Sequence, residues 1–236
     1  MDKGTYWLLT DSRGQTVAGA SVWCRWGRGV THTVWPAAIA GYCTESVHLP
    51  YLLDPLYERY GAGARIWLSE IGEAQHVDNA RASSHTWTTL VERERPEWVG
   101  GAAEMRVRLR FGLLASAAAL SNAEFRAHLG SMSLADLPKA AMILARLHAE
   151  TRRRGSEPRA VCMAAMAVHA AASYSAGRRD LIDLALRHYP LYAWYAAMAA
   201  ACACVNLTAL ADEAVKRETR TAGPVRRPVL ETVSSS

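Results

Sequence analysis

Seven of the eight tryptophans, Trp7, Trp23, Trp26, Trp35, Trp67, Trp87 and Trp98, fall within the first hundred residues, and alanine dominates from Ala115 to Ala211. An indole needs a deep apolar slot and a partner for its N–H, which the layers around a β-sheet supply. Alanine is the strongest helix former and lets neighbouring helices approach closely. Pro96, Gly100 and Gly101 punctuate the chain where its character changes. The fold class expected is therefore α+β: a Trp-rich, β-containing N-terminal part over residues 1–98, an Ala-rich α-helical bundle over 99–217, and a basic tail over 218–236.

Local signals fill in the two parts. Thr5 to Thr10 is rich in β-formers and stops at Asp11-Ser12-Arg13-Gly14, a turn cluster. Ser21 to Trp26, Thr31 to Trp35, Arg65 to Ile71 and His85 to Val91 read as further strands. In Arg65 to Ile71 the alternation sets Ile66 and Leu68 on one side and Trp67 and Ser69 on the other. Leu49 to Tyr60 carries apolar residues at helical spacing, and Pro55 inside it demands a kink or two short turns. From Glu104 to Ala119 the pattern is mixed, because Met105, Val107, Leu109 and Phe111 alternate with Arg106, Arg108 and Arg110 as in a strand before helical sequence begins. Ala123 to Leu129, Ala160 to Ser175, Asp180 to His188 and Leu191 to Lys216 read as helices, with Arg152, Arg153, Arg154 and Gly155 at a helix end.

Half of the residues are hydrophobic, enough for a real core, and the start Met1-Asp2-Lys3 lacks the apolar run of a signal peptide. The five cysteines, an odd number split between the halves, do not suggest a disulfide framework. These features point to a cytoplasmic chain with reduced thiols. Leu191 to Ala211 has membrane-spanning length, but Tyr192, Tyr195, Asn206 and Thr208 interrupt its surface, so a helix of a bundle is expected and no membrane contact.

Gly41-Tyr42-Cys43, Leu49-Pro50-Tyr51-Leu52, Tyr60 and Arg65-Ile66-Trp67-Leu68-Ser69-Glu70-Ile71-Gly72-Glu73 resemble an uncharacterised phage and bacterial domain of unknown function. The resemblance covers roughly residues 5–92 and rests on a glycine-aromatic-His-Ala-Cys element, a short helix and a strand ending in an acidic residue and glycine. Tyr42-Cys43-Thr44 departs from the first of these. Asp78, Arg81 and Ala82 match the residues that follow in that family. What the resemblance implies is a phage or prophage accessory protein.

Two constellations bear on chemistry. Arg28, His32 and Glu70 are the candidate catalytic residues of an NAD-dependent ADP-ribosyl-transferase-like enzyme, in which the carboxylate would stabilise an oxocarbenium-like centre and arginine would bind pyrophosphate. Arg106, Arg108 and Arg110 with Arg152, Arg153 and Arg154 are candidate binding residues that would form a phosphate-binding surface if folding gathers them. The net charge of +5 suits such a surface and also suits simple solubility. His32, His48, His76 and His85 with Cys24 and Cys43 lack the close pairing of a zinc site, so neither metal nor cofactor is expected. The favoured expectation is a non-catalytic binding or interaction module of phage-accessory type with a protein partner or self-association. Nucleic acid is a further candidate partner, and the alternatives are the transferase and a virion or assembly component.

Overall fold

A computed structural model of the chain describes residues 4–18, 22–33, 39–54, 57–77, 81–118, 123–136, 139, 142 and 206–220. The first turn forms where its residues predict. The Asp11 carboxylate accepts the backbone N–H groups of Arg13 and Gln15 at 2.8 and 2.7 Å. Gly14 follows at a φ of 72°, where an added Cβ would lie 2.9 Å from the Trp26 carbonyl oxygen. This turn joins β1 (Thr5–Thr10) to β2 (Gln15–Ala18), and β2 pairs with β3 (Val22–Arg25) as a separate antiparallel hairpin.

Strands β4 (Thr31–Thr33), β5 (Ile39–Cys43), β6 (Arg65–Ile71), β7 (Ala74–Val77), β8 (Arg81–Ser84) and β9 (Thr86–Arg93) join β1 in a seven-stranded antiparallel sheet, ordered β4-β9-β6-β1-β5-β8-β7. The strand read at Ser21 to Trp26 is described over Val22–Arg25 and that at Thr31 to Trp35 over Thr31–Thr33; residues 19–21 and 34–38 lie outside those described. Leu49 to Tyr60 forms two short helices, α1 (Leu49–Leu53) and α2 (Tyr57–Tyr60), as Pro55 demands, with Pro50 tolerated in the first turn. Three longer helices complete the described chain: α3 (Glu104–Ala118), α4 (Ala123–Ser131) and α5 (Leu207–Arg220). Asn206 caps α5, its side-chain oxygen accepting the Ala209 N–H at 3.1 Å.

The sheet buries both faces, which explains the near-continuous run of buried residues from Trp7 to Thr10. On one face Trp7, Leu9, Tyr42 and Ile66 pack under α1, α3 and α5; on the other Leu8, Trp67, Ile71, Ala82 and Trp87 pack with Cys24 and Trp26 at the β2–β3 hairpin. Trp7, Trp26, Trp67, Trp87 and Trp98 are all buried. Each donates its indole N–H, to Thr44 O, Thr16 Oγ1, Thr10 Oγ1, Ser84 O and His48 Nδ1 respectively. They are core residues and offer no stacking platform for bases.

Three expectations are corrected. The strand-like stretch Met105 to Phe111 is helical, because Val107, Phe111 and Leu114, which are buried at helical spacing, bind it to the core. The boundary at 98/99 does not separate two cores: Leu207, Ala211 and Ala214 of α5 and Val107 and Phe111 of α3 belong to the same apolar cluster as Trp7 and Leu9. Nor does a tail begin at 218, since α5 runs through Arg220 with Glu218 buried. The helices expected over 160–175 and 180–188, and most of that over 191–216, lie outside the described residues. Among the described residues no helix is long and apolar enough to cross a membrane.

Candidate functional site

Register separates the candidate catalytic residues. On β4 His32 stands opposite Trp87, while on β6 Glu70 stands opposite Thr88, one residue along β9. Successive side chains of a strand point to opposite faces. His32 therefore lies on the hairpin side with Trp87, edge-on to the Trp26 ring at 4.6 Å, and Glu70 lies on the other side. The His32 Nε2 is 2.8 Å from the Arg25 carbonyl oxygen, which can only accept, so this nitrogen carries the proton and donates. Arg28 is exposed in the turn at Gly27 to Gly29, remote in role from either strand face. The three side chains do not share one face of the sheet.

The arginines of α3 turn inward. Arg108 and Arg110 are each only 6% exposed. Arg110 donates from Nε to Glu218 Oε1 at 2.8 Å and from Nη1 to the Met132 carbonyl at 2.5 Å. Arg106, one turn earlier, donates to the Glu218 carbonyl at 3.3 Å. Arg108 points elsewhere: it donates to the Tyr51 carbonyl at 3.2 Å and lies 4.4 Å from the Tyr57 ring centroid. Its Nε is 3.4 Å from Glu104 Oε1 but off line for a hydrogen bond, so that contact is an ion pair alone. Arg106 and Arg110 tie α3 to α5 and to Met132 after α4, and Arg108 ties it to α1 and α2, so Arg108 and Arg110 do not form an exposed phosphate-binding face, while the Arg106 side chain is 40% exposed. Arg152, Arg153 and Arg154 lie outside the described residues.

The surface feature absent from the sequence reading is an open cleft of about 430 Å³ lined by Ala64, Arg65, Glu92, Arg93, Glu94 and Arg95. It forms where the start of β6 meets the end of β9: Ile66 stands opposite Arg93, and Glu94 and Arg95 follow the strand. Arg65 and Glu92 make a two-pronged contact, Nε to Oε1 at 2.6 Å and Nη2 to Oε2, with the Arg65 guanidinium 4.8 Å from the Trp67 ring centroid. The hydrogen bond from Arg65 holds the Glu92 carboxyl below its ordinary range. Arg93, Glu94 and Arg95 are exposed, and among the described residues Arg93 and Arg95 form no ion pair.

On α1, Tyr51 is 1% exposed and packs edge-on to the Tyr57 and Trp98 rings, and its hydroxyl has no hydrogen-bond partner among the described residues. Burial pushes its pKa up; the charges acting on it are those of Arg95, which lowers it, and Glu92, which raises it. One turn earlier, at the start of α1, is His48, whose Nδ1 accepts the Trp98 N–H at 3.0 Å and whose pKa burial lowers against the pull of Asp212. Cys43 Sγ lies 3.3 Å from Thr208 Oγ1, and Cys24 is buried, which pushes its thiol up. Among the described residues no three His, Cys, Asp or Glu side chains gather closely enough to hold a metal ion.

Comparison of the chain with protein-family models, curated proteins and solved structures finds no match.

Proposed function

We propose that the chain is a non-catalytic binding module, of the phage-accessory type that the sequence resemblance implies, with its contact surface at the cleft beyond β9. The observation that carries this reading is the division of polar groups. His32 and Glu70, which an NAD-dependent transferase would need around one substrate, face opposite sides of the sheet by strand register. Arg108 and Arg110 are committed to partners inside the chain. Arg93, Glu94 and Arg95 are left exposed around an open concavity at and just beyond the end of β9.

The test is direct. The full chain is incubated with NAD in the presence and absence of candidate acceptor proteins, and released nicotinamide and ADP-ribosylated product are measured by mass spectrometry. No product above the enzyme-free blank is expected. Turnover that disappears in Glu70→Gln would restore the transferase and overturn the module.

A further inference from the structure

We propose that His48 and Trp98 form a proton-operated latch, which at neutral pH holds the joint between the sheet and α3, and with it the Arg95 wall of the cleft, in one conformation. The inference goes beyond the reading of the chain as a binding module and does not depend on what the cleft binds.

The direction of one hydrogen bond sets the protonation state of the ring. Trp98 Nε1 lies 3.0 Å from His48 Nδ1. An indole nitrogen can only donate, so Nδ1 must present a lone pair and the ring is the neutral Nε2–H tautomer. A second proton would make Nδ1 a donor as well, and two donors would face one another at hydrogen-bond distance. Trp98 is 4% exposed, so its N–H has no water to turn to in place of the ring. His48 is half-buried, reaches water and can take up the proton. On protonation the two rings must therefore part.

The surrounding charges do not cancel this. Asp212 on α5 pulls the His48 pKa up, yet burial is the larger influence and brings it below the ordinary imidazole value. The other carboxylates near the ring in the chain are Glu45 ahead of α1, Asp54 after it, Glu97 beside Trp98, and Glu213 on α5. On α3, Glu104 is taken by the Tyr57 hydroxyl and the Gly100 N–H, and Arg108 by the Tyr51 carbonyl. Strands β1 and β5, which also pack on α1, hold no carboxylate or cation. With the folded value lowered, the latch is closed above about pH 6.5 and opens as pH falls from there toward the folded value.

What the latch holds is the passage from β9 into α3. Trp98 sits between two tight turns, closed by the Val99 N–H on the Pro96 carbonyl at 3.0 Å and the Gly101 N–H on the Trp98 carbonyl at 3.3 Å. Its ring stands edge-on to Tyr51 at 6.2 Å, so apolar packing on α1 is what remains once the bond is lost. Gly100, two residues on, has a φ of 77°, and a Cβ there would lie 3.2 Å from the Ala62 Cβ and 3.6 Å from Arg95 Nη1. Arg95, which lines the cleft, thus packs on the backbone that Trp98 anchors. Parting of the rings frees that backbone, and the Arg95 wall moves with it.

The full chain is titrated by NMR from about pH 8 to about pH 4.5, following the His48 ring, the Trp98 indole N–H and the amides of Arg95 and Gly100. At neutral pH the His48 nitrogens are expected to show the Nε2–H tautomer. As pH falls, the protection factor of the indole N–H should drop at least about tenfold, with one midpoint below about 6.5 shared by His48 and the two amides. His48→Asn offers Oδ1 in place of Nδ1, an acceptor that does not titrate, and should keep the indole protected across the whole range. Trp98→Phe removes the donor, and the His48 midpoint should rise. The latch is overturned by an indole N–H that stays protected through the His48 midpoint, or by a His48 midpoint at or above about 6.5. It is overturned equally by Arg95 and Gly100 amides that do not follow His48, by loss of protection in His48→Asn equal to that of the unaltered chain, or by an unmoved midpoint in folded Trp98→Phe. Should Trp98→Phe not fold, the unaltered chain and His48→Asn decide. None of these outcomes touches the module reading, which falls to Glu70-dependent turnover of NAD.

Discussion

Two sets of arginines at alternate positions meet opposite fates in this fold. Arg106, Arg108 and Arg110 alternate with apolar residues, and Arg93 and Arg95 alternate with glutamates. In α3 the helical turn divides the first set: Arg106 and Arg110, four apart, converge on Glu218, while Arg108 is carried round to Tyr51 and Tyr57. Arg93, the last residue of β9, and Arg95, just beyond it, are exposed at the cleft. Charge alone therefore does not mark a binding surface. The backbone period decides whether an arginine becomes a tie between elements or a free donor.

The largest test of this contrast is Glu218→Ala. It leaves Arg110, and in part Arg106, without a counter-charge in a site that is nearly closed to water. Loss of about 3–5 kcal/mol in a urea-unfolding experiment is expected. A loss below 1 kcal/mol would mean that the α3 arginines escape to solvent, as the cleft arginines do. Replacing Arg110 and Glu218 together by methionine should recover much of that loss, since the desolvation cost disappears with the pair.

A smaller effect is expected of Arg108→Met, which keeps the stem but removes the stack on Tyr57 and the donor to the Tyr51 carbonyl. About 2 kcal/mol is the expected cost in thermal or chemical unfolding. No measurable change would show that the helix and α1 hold together without it.

The smallest is the Arg65–Glu92 pair. Both side chains are roughly a third exposed, 34% and 38%, so a double-mutant cycle with alanine should give a coupling under about 1 kcal/mol that shrinks as salt rises. The sign of its pH dependence follows from the lowered Glu92 value. The contribution is present above the ordinary carboxylate pKa and fades as pH falls through the depressed one. A coupling that grows on acidification would contradict this assignment.

Legibility in the sequence tracks the size of the side chains. Strands β1, β6 and β9 announce themselves through Trp7, Trp67, Trp87 and their β-branched or apolar neighbours. Their partners do not. β5 contains Gly41, where an added Cβ would collide with the Trp87 ring and lie 3.0 Å from the Trp7 carbonyl oxygen, and β8 contributes only Ala82 as a buried apolar residue. These strands are small because the indoles fill the space above them, so their signal sits in another part of the chain. The α3 segment misleads for the converse reason: seven residues satisfy a period of two while Val107, Phe111 and Leu114 satisfy a helix. The cleft was illegible because it brings Ala64 and Arg65 against Glu92 to Arg95, residues far apart in sequence that only the pairing of β6 with β9 joins.

The contribution of α5 to the core that Trp7 begins sets an order on biosynthesis. A chain made from its N-terminus exposes Leu9, Ile66 and Val107 before Leu207, Ala211 and Ala214 exist to cover them. At about 5–20 residues per second, the stretch between Ala118 and Leu207 keeps that face waiting for on the order of ten seconds. During this interval the cluster lacks the cover that α5 supplies, and uncovered apolar surface of this kind favours association with other chains. Only a chain translated through Ala214 therefore holds every residue of the cluster that Trp7 begins.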